Sequence, residues 1–164
     1  MNRRNFLLQF MALASVAAVG SFRSFAAFAS ETVEKIMKDD KTWKSELSGE
    51  QYDVLRHEGT ERPFSSPLLN EHRKGMFVCA GCGLELFDAS TKFDSGTGWP
   101  SFFMAKEGHV ETSADNKLAV TRTEYHCAKC GGHQGHVFND GPKPTGLRYC
   151  NNGVALKFVP KDGA

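Results

Sequence analysis

The chain lacks any strong excess of charge: 20 Lys and Arg stand against 19 Asp and Glu, a formal net charge of +1. A large surplus of one sign is what draws a protein to nucleic acid or to an anionic surface, so both partner classes are disfavoured. A small or neutral substrate fits better. Trp, Tyr and Pro are sparse, at two, three and six, and 13 Phe supply most of the aromatic content. No internal repeat occurs beyond two similar C-x-x-C pairs, and nothing after residue 29 is low-complexity, which removes repeat arrays and disordered tracts from consideration. With 164 residues there is material for one ordinary domain, and too little for two well-buried ones once a leader is subtracted. What the chain does have is 40% hydrophobic and 24% charged residues with 16 Gly, the make-up of a folding chain with many turns.

A long uninterrupted apolar run is also missing. The stretch from Phe6 to Val19 is broken by Gln9 and Ser15 and is too short for a membrane span. It follows Arg3 and Arg4 and precedes Ala27-Phe28-Ala29, which puts small residues at both positions of an A-x-A cleavage rule. Residues 1–29 therefore read as an export signal, leaving Ser30 as the mature N-terminus and no stable membrane insertion after processing. Residues 2–7, NRRNFL, resemble a twin-arginine signal, so the expected location is the periplasm. An uncleaved anchor and a cytosolic protein with an apolar start are the alternatives. Residues 30–44 are charged and short of large apolar side chains, and are expected to form a linker with one helical turn.

Ser48-Gly49-Glu50-Gln51 is a capping-box-like start to a short amphipathic helix that carries Tyr52, Leu55 and Arg56 and stops at Gly59. Pro63, Pro67 and Gly75 punctuate the loop that follows. Strand character is read at residues 76–78, 118–121, 137–138 and 154–159, and short strands between Gly-rich turns point to a mainly β fold.

Cys79-Ala80-Gly81-Cys82 and Cys127-Ala128-Lys129-Cys130 each have the spacing of a zinc knuckle, and each is followed by Gly. Two equivalent knuckles favour one shared zinc held by four thiolates, a structural ion with no open coordination position. A thioredoxin-like redox pair and two disulfides formed after export are the competing readings. Five cysteines leave one over, Cys150. If residues 148–158 are extended, period-two alternation puts Arg148, Cys150, Asn152, Val154, Leu156 and Phe158 on one face. Arg148 there would favour the nucleophilic thiolate. His133 and His136 lie three residues apart in a glycine-rich setting and suit proton donation or orientation, with a second metal site or two surface histidines as the alternatives. Trp99 sits in a turn-rich loop where it can cap the core or wall an apolar pocket.

These segments together resemble the methionine sulfoxide reductase B family. The likeness runs from about Trp43 to Pro160, giving an expected domain at 45–160, and rests on Gly59-Thr60-Glu61, both knuckles, SGTGWPSF at 95–102, GHQGHVFNDGP at 132–142 and TGLRYCNNGVALKF at 145–158. The resemblance implies a small domain of two antiparallel β-sheets with zinc away from the reaction centre. It also implies Cys150 as nucleophile, His133, His136 and Asn152 around a sulfoxide oxygen, and Trp99 against the ε-methyl group, with Arg148 beside them. The reaction implied is reduction of methionine-R-sulfoxide in peptides or proteins, passing through a sulfenic acid. Many members have a resolving cysteine where this chain has Thr97, so an external thiol such as a thioredoxin-like partner is expected to restore Cys150. Asn151 and Gly153 also depart from the commoner residues and imply a local change in packing. A monomer is the default. The rival reading is a zinc-stabilised interaction module without catalysis, and a zinc hydrolase is weaker because four thiolates leave no open site.

Overall fold

Ser48 sets the start of a helix as the capping box requires. Its side chain accepts the Gln51 backbone N–H at 3.2 Å while Gln51 Oε1 accepts the Ser48 N–H at 3.1 Å. The computed structural model describes residues 33–161, so the export signal expected at 1–29 lies outside them. Helix α2, Gly49–His57, ends where Glu58 turns left-handed at φ 57°, and buries Val54 and Leu55. The segment expected as a linker ends in a further helix, α1, Asp40–Glu46, whose first turn Asp39 caps and whose Trp43 is only 2% exposed. One buried indole outweighs the polar character of its neighbours, which is why composition understated this segment.

Among the described residues nine strands form two antiparallel sheets, as expected. The smaller holds β2 (Glu85–Asp88), β1 (Gly75–Cys79) and β9 (Leu156–Pro160) in that order. The larger runs β3 (Lys92–Phe93), β4 (Ser101–Phe102), β8 (Arg148–Asn151), β7 (His133–Phe138), β6 (Arg122–Cys127) and β5 (Val110–Asp115). Aromatic rings from the two sheets meet in the core: Phe87 stacks on Phe102 at 4.2 Å and lies 5.7 Å from Tyr149. Each buried ring stabilises the fold by about 2–3 kcal/mol through lost apolar surface.

Two expectations are corrected. Residues 118–121 are not a strand but the tip of the β5–β6 hairpin, with Leu118 and Val120 exposed. Residues 148–158 are not one extended run: β8 ends at Asn151, a 3-10 turn at Gly153–Ala155 intervenes, and β9 joins the other sheet. Asn152 is the residue at that corner, so simple alternation from Cys150 does not reach Val154, Leu156 or Phe158. Gly153 permits the corner, since an added Cβ would lie 1.9 Å from Ser66 Oγ.

Candidate functional site

Cys150 lies mid-way along β8, where its register partners are Ser101 on β4 and His136 on β7. Gly135 makes this approach possible, because a Cβ there would lie 2.0 Å from the Cys150 carbonyl oxygen. One extra residue on β7 shifts its pairing with β6 between Tyr125 and His126. That bulge brings His133 and His136, which alternation would send to opposite faces, to ring centroids 5.6 Å apart.

A cavity of about 130 Å³ is lined by Cys150, His136, Asn152 and Trp99, with Thr60, Arg122, Gly135, Phe138 and Asn151 completing the wall. Four of the six candidate residues outside the cysteine cluster thus meet in one place. His133 is 3% exposed behind His136 and does not line this cavity, and Arg148 does not line it either. Burial pushes the Cys150 thiol up, while the Arg148 charge and hydrogen bonds from Thr97 and Arg148 oppose that rise. Arg148 is itself held by a two-pronged pair with Asp140, at 2.8 and 2.9 Å, and lies 4.3 Å over the Phe138 ring. Its place is beside Cys150 as a fixed positive charge.

Both histidines have carboxylate partners. His136 Nε2 lies 2.8 Å from Asp115 Oδ2, and His133 Nδ1 lies 2.7 Å from Glu124 Oε1. Hydrogen bonds from the Lys117 backbone N–H and from His136, aided by Arg122, hold Asp115 well below the usual carboxylate range despite its burial. Burial depresses His133, which Glu124 only partly offsets, so the neutral form is favoured.

The four remaining cysteines converge between the sheets. Their Sγ atoms all lie within 4.8 Å of one another, with Cys79–Cys130 at 3.7 Å and Cys82–Cys127 at 3.5 Å. Tetrahedral zinc with Zn–S bonds of ~2.3 Å sets its sulfurs ~3.8 Å apart. These separations match such a donor set and are far beyond a disulfide bond. Hydrogen bonds with Cys127, Cys130 and Cys82, then burial, push Cys79 well above the ordinary thiol range, and a cation at this place would be what lets all four sulfurs be thiolates. Cys79 ends β1 of the small sheet and Cys82 follows it, whereas Cys127 ends β6 of the large one and Cys130 lies in its turn to β7. A bound metal ion would therefore clip one sheet to the other.

The SelR domain family matches residues 47–160. A peptide methionine sulfoxide reductase MsrB of Bradyrhizobium diazoefficiens is 56% identical over 131 residues, spanning 79% of this chain and 94% of its own. The chain belongs to the MsrB family. Proteins of the same description from Leptospira interrogans and Methanosarcina mazei are 53% and 52% identical, over 76% and 78% of this chain and 95% and 92% of theirs.

In this MsrB family member several residues that sequence patterns did not single out fix the site. Glu61 accepts the Gly153 and Val154 backbone N–H groups at 2.6 and 2.9 Å, its own N–H donates to Asn152 Oδ1 at 3.1 Å, and its carbonyl accepts Trp99 Nε1–H at 3.2 Å. It thereby fastens the asparagine and the indole to one another. Burial raises its carboxyl, and the two amides counter that. Asn152 Nδ2 donates to the Gln134 carbonyl at 3.0 Å, so this side chain is largely engaged in shaping the corner. Asn151, buried, accepts from the Tyr125 hydroxyl at 2.6 Å and donates to the Asn152 carbonyl at 2.7 Å. The glycine-threonine-glutamate segment at 59–61 was a signal for Glu61, but Asp115, Glu124 and Arg122 carry no local motif.

Proposed function

We propose that this protein reduces methionine-R-sulfoxide residues in peptides and proteins, with Cys150 as the nucleophile. The observation that carries the reading is the register of β7 and β8, which sets His136 opposite Cys150 in a cavity that Trp99 walls. The Cys150 thiolate attacks the sulfoxide sulfur as the His136 imidazolium gives a proton to the oxygen. With Nε2 engaged by Asp115, Nδ1 is the His136 nitrogen that serves substrate. The S–O bond breaks, the oxygen passes to Cys150 as a sulfenic acid, methionine leaves, and two electrons have moved from the cysteine sulfur to the methionine sulfur. Two equivalents of an external thiol then return the sulfenic acid to thiol, releasing water and a disulfide. Thr97, with Arg148, is a hydrogen-bonding neighbour of Cys150, and every other cysteine of the chain belongs to the four-sulfur cluster. A thioredoxin-like protein is the proposed physiological reductant.

Selectivity for the R epimer follows if the ε-methyl group rests on the Trp99 indole while the oxygen faces His136 and Asn152, with the peptide chain leaving through the mouth. Cys79, Cys82, Cys127 and Cys130 hold zinc in this reading, and the ion supplies structure rather than chemistry. Arg3, Arg4 and the small residues Ala27 and Ala29 support export by the twin-arginine route to the periplasm, where oxidised exported proteins would be the substrates.

A single-turnover experiment tests the chemistry. Mixed with a methionine-R-sulfoxide peptide and a sulfenic-acid trap but no reductant, the protein should form about one equivalent of methionine and carry the trap on Cys150 alone. Labelling of a cluster cysteine, or methionine formation by Cys150→Ser, contradicts the assignment.

A further inference from the structure

Trp99 borders a second space. It lines the small cavity with Cys150, and also a cavity of about 300 Å³ whose other apolar walls are Phe64, Leu69, Phe93 and Pro100. Phe64 is the unusual member. Its side chain is 71% exposed, and its backbone is left-handed at φ 64°, a region that residues with bulky side chains rarely occupy. The conformation is held from the opposite loop: the Phe64 N–H donates to the Gly98 carbonyl at 2.7 Å. Gly98 is at φ 91°, and a Cβ there would come within 2.9 Å of the Phe64 ring and amide. Two loops are thus pressed together to hold an aromatic ring that the core does not bury. Such strain persists where the surroundings enforce it, and it clusters at binding sites.

We propose that this second cavity is a subsite for an apolar side chain flanking the oxidised methionine of a polypeptide, with Phe64 as its specificity-determining residue. The proposal rests on the reading of the catalytic cavity given above. Continuity with that cavity identifies the occupant: both spaces share Trp99 as a wall, and successive Cα atoms of a chain are about 3.8 Å apart, so the second space lies next to a neighbour of the methionine seated by Cys150. Asn70, His72, Lys92 and Asp94 also line the space, and Lys92 Nζ is drawn back onto the Leu69 carbonyl at 2.8 Å. A free amino acid would leave the subsite empty, so polypeptide substrates gain from it and free methionine sulfoxide does not.

The test uses blocked pentapeptides with a central methionine-R-sulfoxide flanked on both sides by Leu or by Gly. The full chain supplies kcat/KM with dithiothreitol, and Cys150→Ser supplies Kd by titration calorimetry, a readout independent of turnover. Both should favour Leu by about tenfold. Phe64→Asn, which tolerates the left-handed backbone, should bring that preference close to one. Equal treatment of Leu and Gly by the unaltered protein overturns the subsite, as does an equal loss for both peptides in Phe64→Asn. Concentration-dependent self-association that Phe64→Asn removes would assign the cavity to a second copy of the chain and overturn it too. A Kd preference without turnover of any peptide would sustain the subsite while sinking the proposed reaction.

Discussion

Cys150 is buried enough for its thiol to be pushed up, and the Arg148 guanidinium is the charge that works against this. Removing the charge should therefore expose the burial effect. In Arg148→Gln the midpoint of Cys150 alkylation against pH moves to higher pH, and the thiolate fraction near neutrality falls. Alkylation with a small haloacetamide over pH 6–10 checks this, and an unchanged or lowered midpoint contradicts it. The free enzyme's kcat/KM should follow the same displacement on its alkaline side. Asp115 acts with opposite sign on stability: held below the usual carboxylate range, its carboxylate favours the fold above the ordinary Asp range, and that contribution is lost as pH falls through the depressed folded value. Asp115→Asn should remove this acid-side component from a melting-temperature profile, and should lower turnover roughly 10²-fold by freeing His136.

At the scale of elements, the register between β7 and β8 matters most, and Gly135 guards it. Gly135→Ala must displace backbone, because the new Cβ would lie 2.0 Å from the Cys150 carbonyl oxygen. A displacement near 1 Å between reacting groups costs about 10²-fold in rate, so this variant should retain its circular dichroism spectrum and metal content yet lose most turnover. Trp43→Ala tests a different element: loss of the indole that α1 buries should cost about 3–5 kcal/mol in denaturant unfolding while leaving the reaction chemistry intact in the folded fraction. These elements were unequally legible in the sequence. The Ser48 capping box marked α2 because its hydrogen bonds are local. β3 and β4 are two residues each and leave no period to read. Residues 118–121 are apolar and β-branched in part, which a hairpin tip and a strand share until pairing decides. His133 and His136 could be nominated by type, but their meeting depends on a bulge set by β6. Asp115 and Glu124 were invisible as partners because the sheet brings them from other strands.

For the whole molecule, the four cysteines gather from the three-stranded and the six-stranded sheet, so a metal ion held by them would tie one to the other. Their C-x-x-C spacing made this site readable from sequence, since each knuckle is local even though the cluster is not. Metal analysis should find one zinc per chain, and stripping it with a chelator should lower Tm by about 10 °C or more, because the binding free energy is also folding free energy. Cys82→Ser should show the same loss of metal and stability, whereas Cys150→Ser should keep both. The cavity beside Cys150 depends on contacts from residues 60–61, 99, 122, 135–136, 138 and 150–152, so loosening one sheet against the other should lower turnover before the chain unfolds fully.

The most direct measurement is a chirally resolved turnover assay of the metal-loaded protein on a peptide containing both methionine sulfoxide epimers, with dithiothreitol as reductant. Consumption of the R epimer alone, abolished in Cys150→Ser while zinc and fold are retained, is the expected result. Persistence of both epimers with well-folded, zinc-loaded protein would contradict it and leave a zinc-stabilised interaction module as the better description.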